Sequence, residues 1–158
     1  MALEALGRDT VIVFPACETS ANDSPYTSPP FSVPVYQTCG EDALISAAAL
    51  RAGLRTNGRG NITVIVWVGV GSRNKIGFAQ LAAALERNDD IILVSCENEA
   101  SLETKLGCWN LAGISSANRI PFVATATISQ PDDLKAKFRS AKAIKGFRLI
   151  NIFSPCPV

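Results

Sequence analysis

The 158-residue chain contains no histidine. Histidine is the side chain that most often serves as a general base and as a metal ligand near neutral pH. A Ser-His or Cys-His nucleophile therefore cannot be built within this sequence. Any chemistry has to come from other residue types, from a cofactor or from a second chain.

The cysteines are few and do not form a recognisable framework. There are five, an odd number, and no two of them form a CxxC pair. This pattern is typical neither of a disulfide-stabilised secreted domain nor of a self-contained zinc site. The five are Cys17, Cys39, Cys96, Cys108 and Cys156.

Long apolar runs and a strong excess of one charge are also missing. The longest apolar stretch, residues 62–71, is far shorter than the ~20 residues that a membrane-spanning helix needs. No charged segment followed by an apolar one opens the sequence, so we expect no leader peptide. Fifteen basic residues stand against fourteen acidic ones, which disfavours attraction to nucleic acid or to an anionic membrane. We expect a soluble, cytoplasmic protein with no nucleic-acid or membrane partner.

What is present is one α/β pattern. With 47% hydrophobic residues, the chain is long enough for a single domain over residues 1–158. After Pro15 about twenty residues are expected to form a loop, with a proline-rich part at 25–34, and the alternation of strands and helices predicts a mostly parallel, three-layer sheet. The predicted strands are 10–14, 64–68, 91–96, 121–128 and 147–153, and the predicted helices are 40–52, 76–85, part of 101–117 and 129–145. The first helix should end with Gly53 as its C′ residue, and the second should carry Ile76, Phe78, Leu81 and Leu85 on its inner face. In the third, Trp109 and Leu111 should be buried.

The central stretch, residues 64–100, carries the most informative pattern. Gly69-Val70-Gly71 lies between a strand and a helix, where glycines let a backbone approach a diphosphate. A dinucleotide fingerprint needs a third glycine, and Asn74 occupies that place. A nucleotide-binding turn remains an open alternative.

A second motif uses the same turn. Asn98 follows the next predicted strand, 29 residues after Gly69, and this is the layout of the thiamine-diphosphate motif, GDG followed by a distant Asn. In that motif the Asp and Asn oxygens hold the Mg²⁺ that binds the diphosphate, because Mg²⁺ prefers oxygen ligands. Here the Asp position is Val70, whose side chain offers no oxygen.

Over nearly its whole length the chain resembles the thiamine-diphosphate-binding β subunit of the pyruvate:ferredoxin oxidoreductase (2-oxoacid:acceptor oxidoreductase) family. The resemblance is carried by the segments GRDTVIVFPACE, GEDALISAAALRAGL, IGFAQLAAALERNDDII, CENEA, PFVATATISQPDDLKAKFRSAKAIKG and NIFSPCPV. It implies a Rossmann-like, thiamine-diphosphate-binding fold, the cofactors thiamine diphosphate and Mg²⁺, and an active site built between subunits. A partner oxidoreductase subunit or a homo-oligomer is therefore implied.

The resemblance also assigns individual residues, and the chain departs from the family at several of them. It places cofactor-binding positions at Gly69, Val70, Gly71, Ser72, Arg73, Asn98 and Glu99, with Asn98 as the remaining Mg²⁺ ligand. The family begins with a CxxC pair that supplies two ligands of a [4Fe–4S] cluster, and this sequence has no such pair. Cys17 and Cys156 match the other two cluster cysteines. Because a cubane needs about four thiolates, we expect no cluster in this chain alone.

The hydrocarbon side chain of Val70 leads to the functional prediction. A valine facing a Mg²⁺–diphosphate pair leaves charge uncompensated, at a cost of several kcal/mol in a dry site. The sequence therefore predicts a degenerate β-type subunit that is non-catalytic alone and serves as an assembly or regulatory partner in a 2-oxoacid:ferredoxin oxidoreductase-like (pyruvate synthase-like) complex. In the alternative, Arg73 and Lys75 meet the phosphates directly, and the chain still takes part in oxidative decarboxylation of a 2-oxoacid with a partner subunit.

Overall fold

A computed structural model describes residues 1–15, 32–69, 76–98 and 110–154. The strands are β1 (Thr10–Pro15), β2 (Val35–Thr38), β3 (Thr63–Val68), β4 (Ile92–Asn98), β5 (Phe122–Thr127) and β6 (Arg148–Ser154). The helices are α1 (Ala2–Leu6), α2 (Ala43–Thr56), α3 (Phe78–Glu86), α4 (Leu111–Ala117) and α5 (Pro131–Ala143), and a 3-10 turn at Gly40–Asp42 leads into α2.

The six strands form one sheet in the order β2-β1-β3-β4-β6-β5, and every neighbouring pair is parallel. Parallel strands need crossover connections, and the helices of those connections cover the faces of the sheet. The predicted α/β fold with a parallel sheet in three layers is confirmed. None of the helices in the described ranges combines the length and apolar character needed to cross a bilayer.

Successive strand residues point to opposite faces, so each face has its own core. On one face, Val66 of β3 packs in a cluster with Leu44 of α2, Leu81 of α3 and Leu111 of α4. The other face is covered by α1 and α5. The members of that second cluster include Leu6, Ile65, Ile92, Leu134, Phe138, Ala141 and Ile150.

Helix α5 follows its sequence signals closely. Pro131 occupies the first turn together with Asp132 and Asp133, where a fixed φ and negative charge both favour a helix start. Past its end, Gly146 has a φ of +96°, and a Cβ there would collide with the side chain of Asn88. The side-chain oxygen of Asn88 accepts a hydrogen bond from the backbone N–H of Phe147 at 2.7 Å. These contacts fix the start of β6 against the α3–β4 turn.

Several predictions about individual elements were wrong. Strand β2 was not predicted, because it has only four residues and follows a stretch rich in proline. Helix α2 does not end at Gly53 but continues to Thr56, since the packing of Leu54 against the core outweighs the helix propensity of one glycine, roughly 1 kcal/mol.

The stripe predicted for α3 holds at three positions and fails at one. Ile76, Leu81 and Leu85 are buried, whereas Phe78 is 55% exposed. Phe78 is the first residue of α3, and Ile76 precedes the helix. The predicted burial of Leu111 is confirmed, and that of Trp109 falls outside the described residues.

Candidate functional site

The carboxyl ends of β1, β3, β4 and β6 lie along one edge of the sheet. From β1 the chain crosses outward to β2, and from β3 it crosses to β4 on the other side. The connections therefore diverge between β1 and β3. In open parallel sheets, ligands bind in the crevice at such a point.

Two predicted site residues meet at this edge. Gly69 directly follows β3, and Asn98 is the last residue of the neighbouring strand β4. In the β3–β4 register Val68 pairs with Ser95, so Gly69 is level with the residue after Ser95 and Asn98 extends two positions further. Because neighbouring strands lie about 4.8 Å apart, both backbones border the same crevice.

Open space lies beside Gly69. A Cβ built on this residue would meet no described atom within 4 Å, and its φ is outside the left-handed region. Neither packing nor backbone conformation in the described residues requires glycine here. Space next to an unsubstituted Cα is what the close approach of a phosphate to the backbone requires.

The other predicted site residues lie outside the described ranges, and their roles stay predictions. Residues 70–73 follow β3 in the chain, and Glu99 follows β4. Cys17 comes two residues after β1, and Cys156 two residues after β6. Strands β1 and β6 are three strand spacings apart, roughly 14 Å. Within the described part of the chain, no group of three or more Cys, Asp or Glu side chains is placed to hold a metal ion.

A buried polar group beneath this edge was missed by the sequence reasoning. Glu97 of β4 is only 7% exposed, and its Oε1 accepts a hydrogen bond from Nδ2 of Asn151 at 3.0 Å. Asn151 Oδ1 and the hydroxyl of Ser95 are buried with no hydrogen-bond partner in the described structure. The available signal was the alternation of polar residues in otherwise apolar strands. These polar atoms suit a water molecule or a polar ligand at the carboxyl half of the sheet.

Cys96, on the opposite face of β4, is not an activated nucleophile. Burial raises the pKa of the Cys96 thiol to about 11, although a hydrogen bond with the Trp67 side chain acts in the opposite direction. A thiol with that pKa is almost entirely protonated at neutral pH, and only the thiolate reacts. Cys96 therefore fills the core beside Trp67 rather than performing chemistry.

This assignment predicts a reactivity difference between two cysteines. Iodoacetamide at pH 8 should modify the exposed Cys39 well before the half-buried Cys96. Alkylation of Cys96 should accelerate about tenfold for each pH unit between 8 and 10, because the thiolate fraction grows in that proportion. Peptide mapping by mass spectrometry measures both rates. Rapid alkylation of Cys96 at pH 7 would contradict the assignment.

Known proteins match the chain along most of its length in sequence. Ketoisovalerate oxidoreductase subunit VorB from Pyrococcus abyssi is 32% identical over 98% of this chain and 60% of its own length. Pyruvate synthase subunit PorB from Methanothermobacter marburgensis is 30% identical over 99% of this chain and 63% of its own length. The chain thus spans about three fifths of these relatives. No protein-family model matches it.

Solved structures share the fold. A 2-oxoglutarate:ferredoxin oxidoreductase from Magnetococcus marinus superposes with a TM-score of 0.74 at 19% identity, over 99% of this chain and 58% of that one. A Mycobacterium smegmatis protein assigned as a thiamin diphosphate-dependent enzyme superposes at 0.67 with 20% identity, over 99% and 31% of the two chains. The α/β fold is shared with thiamine-diphosphate enzymes, and the relatives of the chain in sequence are β subunits of 2-oxoacid:ferredoxin oxidoreductases.

Proposed function

We propose that the chain is a single thiamine-diphosphate-fold domain that acts as a cytoplasmic β-type subunit of a 2-oxoacid:ferredoxin oxidoreductase-like complex, with a weakened cofactor site. In this role it is non-catalytic alone and contributes to assembly or regulation beside a partner subunit. A homo-oligomer is the other arrangement that would complete the site. The proposal extends to this chain what the names of its relatives say of them.

One observation carries the proposal. Gly69 directly follows β3 and lies beside the end of β4, so its backbone and that of Asn98 border one crevice, and the residue after Gly69 in the sequence is a valine. The open space at Gly69 suits a diphosphate, and the oxygen of Asn98 suits Mg²⁺. Val70 offers no ligand for that metal. The donor set therefore fits the phosphate side of the cofactor and does not fit the metal, and we derive no catalytic step through it.

The iron–sulfur ligands that the resemblance implies are also incomplete in the sequence. Cys17 and Cys156 follow strands that are three spacings apart, and two thiolates do not hold a cubane. We propose that the chain binds no [4Fe–4S] cluster unless a partner supplies the remaining ligands.

Titration calorimetry with thiamine diphosphate and Mg²⁺ tests the proposal. The unmodified chain is expected to bind weakly and with little dependence on Mg²⁺. Val70→Asp restores a carboxylate ligand and is expected to tighten binding about 100-fold, equivalent to ~2.7 kcal/mol. The matched control is Ile128→Asp, which adds the same charge at an exposed position after β5. Asn98→Ala in the Val70→Asp background should remove most of the gain.

The outcomes separate the two candidate functions. Micromolar, Mg²⁺-dependent binding by the unmodified chain would contradict the weakened site. Metal-independent binding that is lost in Arg73→Gln would instead support the alternative, in which the retained Asn98 and a cationic Arg73 keep the cofactor bound for decarboxylation with a partner.

A further inference from the structure

The sheet has a second concave site, at the edge opposite the carboxyl ends. A cavity of about 200 Å³ lies where β3 and β6 begin, next to the turn that leads into β4. The distance along the strands separates it from the crevice at Gly69 and Asn98. Its lining consists of Arg51, Asn61, Ile62, Thr63, Asp90, Lys142, Lys145 and Arg148.

The lining is strongly cationic. Four basic side chains surround a single carboxylate, Asp90, which leaves an excess of three positive charges. The whole chain carries a formal net charge of only +1. The positive charge is therefore concentrated at this cavity, and cationic clefts with low-dielectric walls attract anions.

Two arginines already compensate the negative charge of Asp90. Arg51 reaches its Oδ2 through Nε at 3.0 Å and through Nη2 at 2.5 Å. The same guanidinium also donates to the carbonyl oxygens of Gly60 and Ile62. On the other side, Nη1 of Arg148 donates to Oδ1 of Asp90 at 2.5 Å. The donors of Arg51 are thus fully engaged within the protein.

The remaining cations keep unused hydrogen-bonding capacity. The side chain of Arg148 is only 4% exposed, yet its hydrogen bonds to described residues all come from Nη1, and its buried Nε has no partner there. Lys145 is 73% exposed, and its Nζ lies 3.8 Å from Asp90 Oδ2, beyond hydrogen-bond distance. A guanidinium that lines the cavity and has donors not used by described residues can donate to an anionic acceptor.

Size and chemistry select the ligand. The cavity is smaller than the ~300–1,000 Å³ of pockets that enclose whole drug-sized molecules. It can hold a compact group but not a complete nucleotide. A guanidinium fork beside a lysine ammonium matches the tetrahedral oxygens of a phosphate.

We propose that this cavity, at the amino edge of the sheet, binds a phosphate group, either as inorganic phosphate or as the end of a small phosphomonoester. Arg148 and Lys145 hold the phosphate oxygens, Arg51 and Asp90 hold Arg148 in place, and Asn61 and Thr63 line the cavity beside them. The site is independent of the thiamine-diphosphate crevice, so it stands whether or not that cofactor binds.

Calorimetric titration of the full chain with inorganic phosphate at low ionic strength tests the proposal. The expected result is saturable binding at millimolar concentration or tighter. Lys145→Gln should weaken it about five-fold, while Lys145→Arg, which keeps the charge, should retain it. The matched control is Lys137→Gln, which removes a charge from α5, the helix that precedes Lys145, at a position where Lys137 pairs with Asp133. Because Lys145 is largely exposed, its variants should fold, and circular dichroism verifies that.

A titration with glycerol phosphate distinguishes the two sources of the phosphate. Tighter binding of the ester identifies a phosphomonoester site, and tighter binding of inorganic phosphate identifies a free-phosphate site. The absence of saturable binding of either compound would overturn the proposal. Equal weakening by Lys145→Gln and Lys137→Gln would overturn it as well, because the effect would then be one of general charge.

Discussion

Phe138→Ala is expected to lower the free energy of unfolding by about 4 kcal/mol, the cost of removing a large aromatic side chain from a packed core. Phe138 of α5 is completely buried in the cluster that also contains Leu6 and Ile65. In the described part of the chain, that face of the sheet is covered by α5 and the five-residue α1. The space that the substitution leaves therefore lies where few other side chains can move to fill it.

Urea denaturation followed by circular dichroism measures this loss. The matched control is Phe78→Ala, the same substitution at a position that is more than half exposed. It should cost about 1 kcal/mol, since more than half of the residue stays exposed to water. Equal losses in the two variants would show that α5 does not seal this face of the sheet.

Asp90→Asn is expected to destabilise the fold by about 3 kcal/mol. Asp90 lies between Arg51 and Arg148, two arginines whose side chains are almost entirely buried. Removing the carboxylate leaves two buried cations uncompensated, a change that costs about 3–5 kcal/mol in fully buried pairs. The lower end of that range applies because Asp90 itself is 26% exposed.

The same carboxylate makes the free energy of unfolding depend on pH in the acidic range. Burial acts to raise the pKa of Asp90, but the hydrogen bonds and charges of Arg51 and Arg148 outweigh it and hold the pKa below its ordinary value. A carboxyl group with a depressed pKa stabilises the folded state fully above the unfolded pKa, about 3.9. That stabilisation is lost as the pH falls from about 4 through the folded pKa.

Urea titrations at pH 7, 4 and 3 therefore distinguish the variants. The unmodified chain should lose stability steeply below pH 4, and Asp90→Asn should lose less over that interval because it lacks this titrating group. Asp132→Asn is the control, since it removes an exposed carboxylate at the start of α5 and should cost under about 1 kcal/mol. An acid dependence identical in all three proteins would refute the role of Asp90.

The proposals on this chain concern opposite ends of one sheet. At the carboxyl end, the backbones of Gly69 and Asn98 border a crevice, and the sequence has Val70 at the position to which the resemblance assigns a metal ligand. At the amino end, Arg148 and Lys145 line a cationic cavity. Each site can be tested without the other.

Local patterns in the sequence determined most of the secondary structure. The apolar runs of β3 and β4 and the start of α5 at Pro131 were predicted because their signals lie within a few neighbouring residues, whereas the predicted glycine turn at 69–71 extends beyond the described residues. The same local signals, with Gly69, Val70 and Asn98, indicated the family and the departure from it. The short strand β2 was not predicted, because four residues are too few to show a recognisable alternation of apolar and polar side chains.

Only the tertiary structure decided which polar side chains share a site. Arg51 and Asp90 are 39 residues apart, Asp90 and Arg148 are 58 apart, and Glu97 and Asn151 are 54 apart. The order of the strands in the sheet brings these partners together, and that order depends on how crossovers pack rather than on any local run of residues. The sequence by itself determined most of the elements, and the packing of the sheet decided where its charges meet.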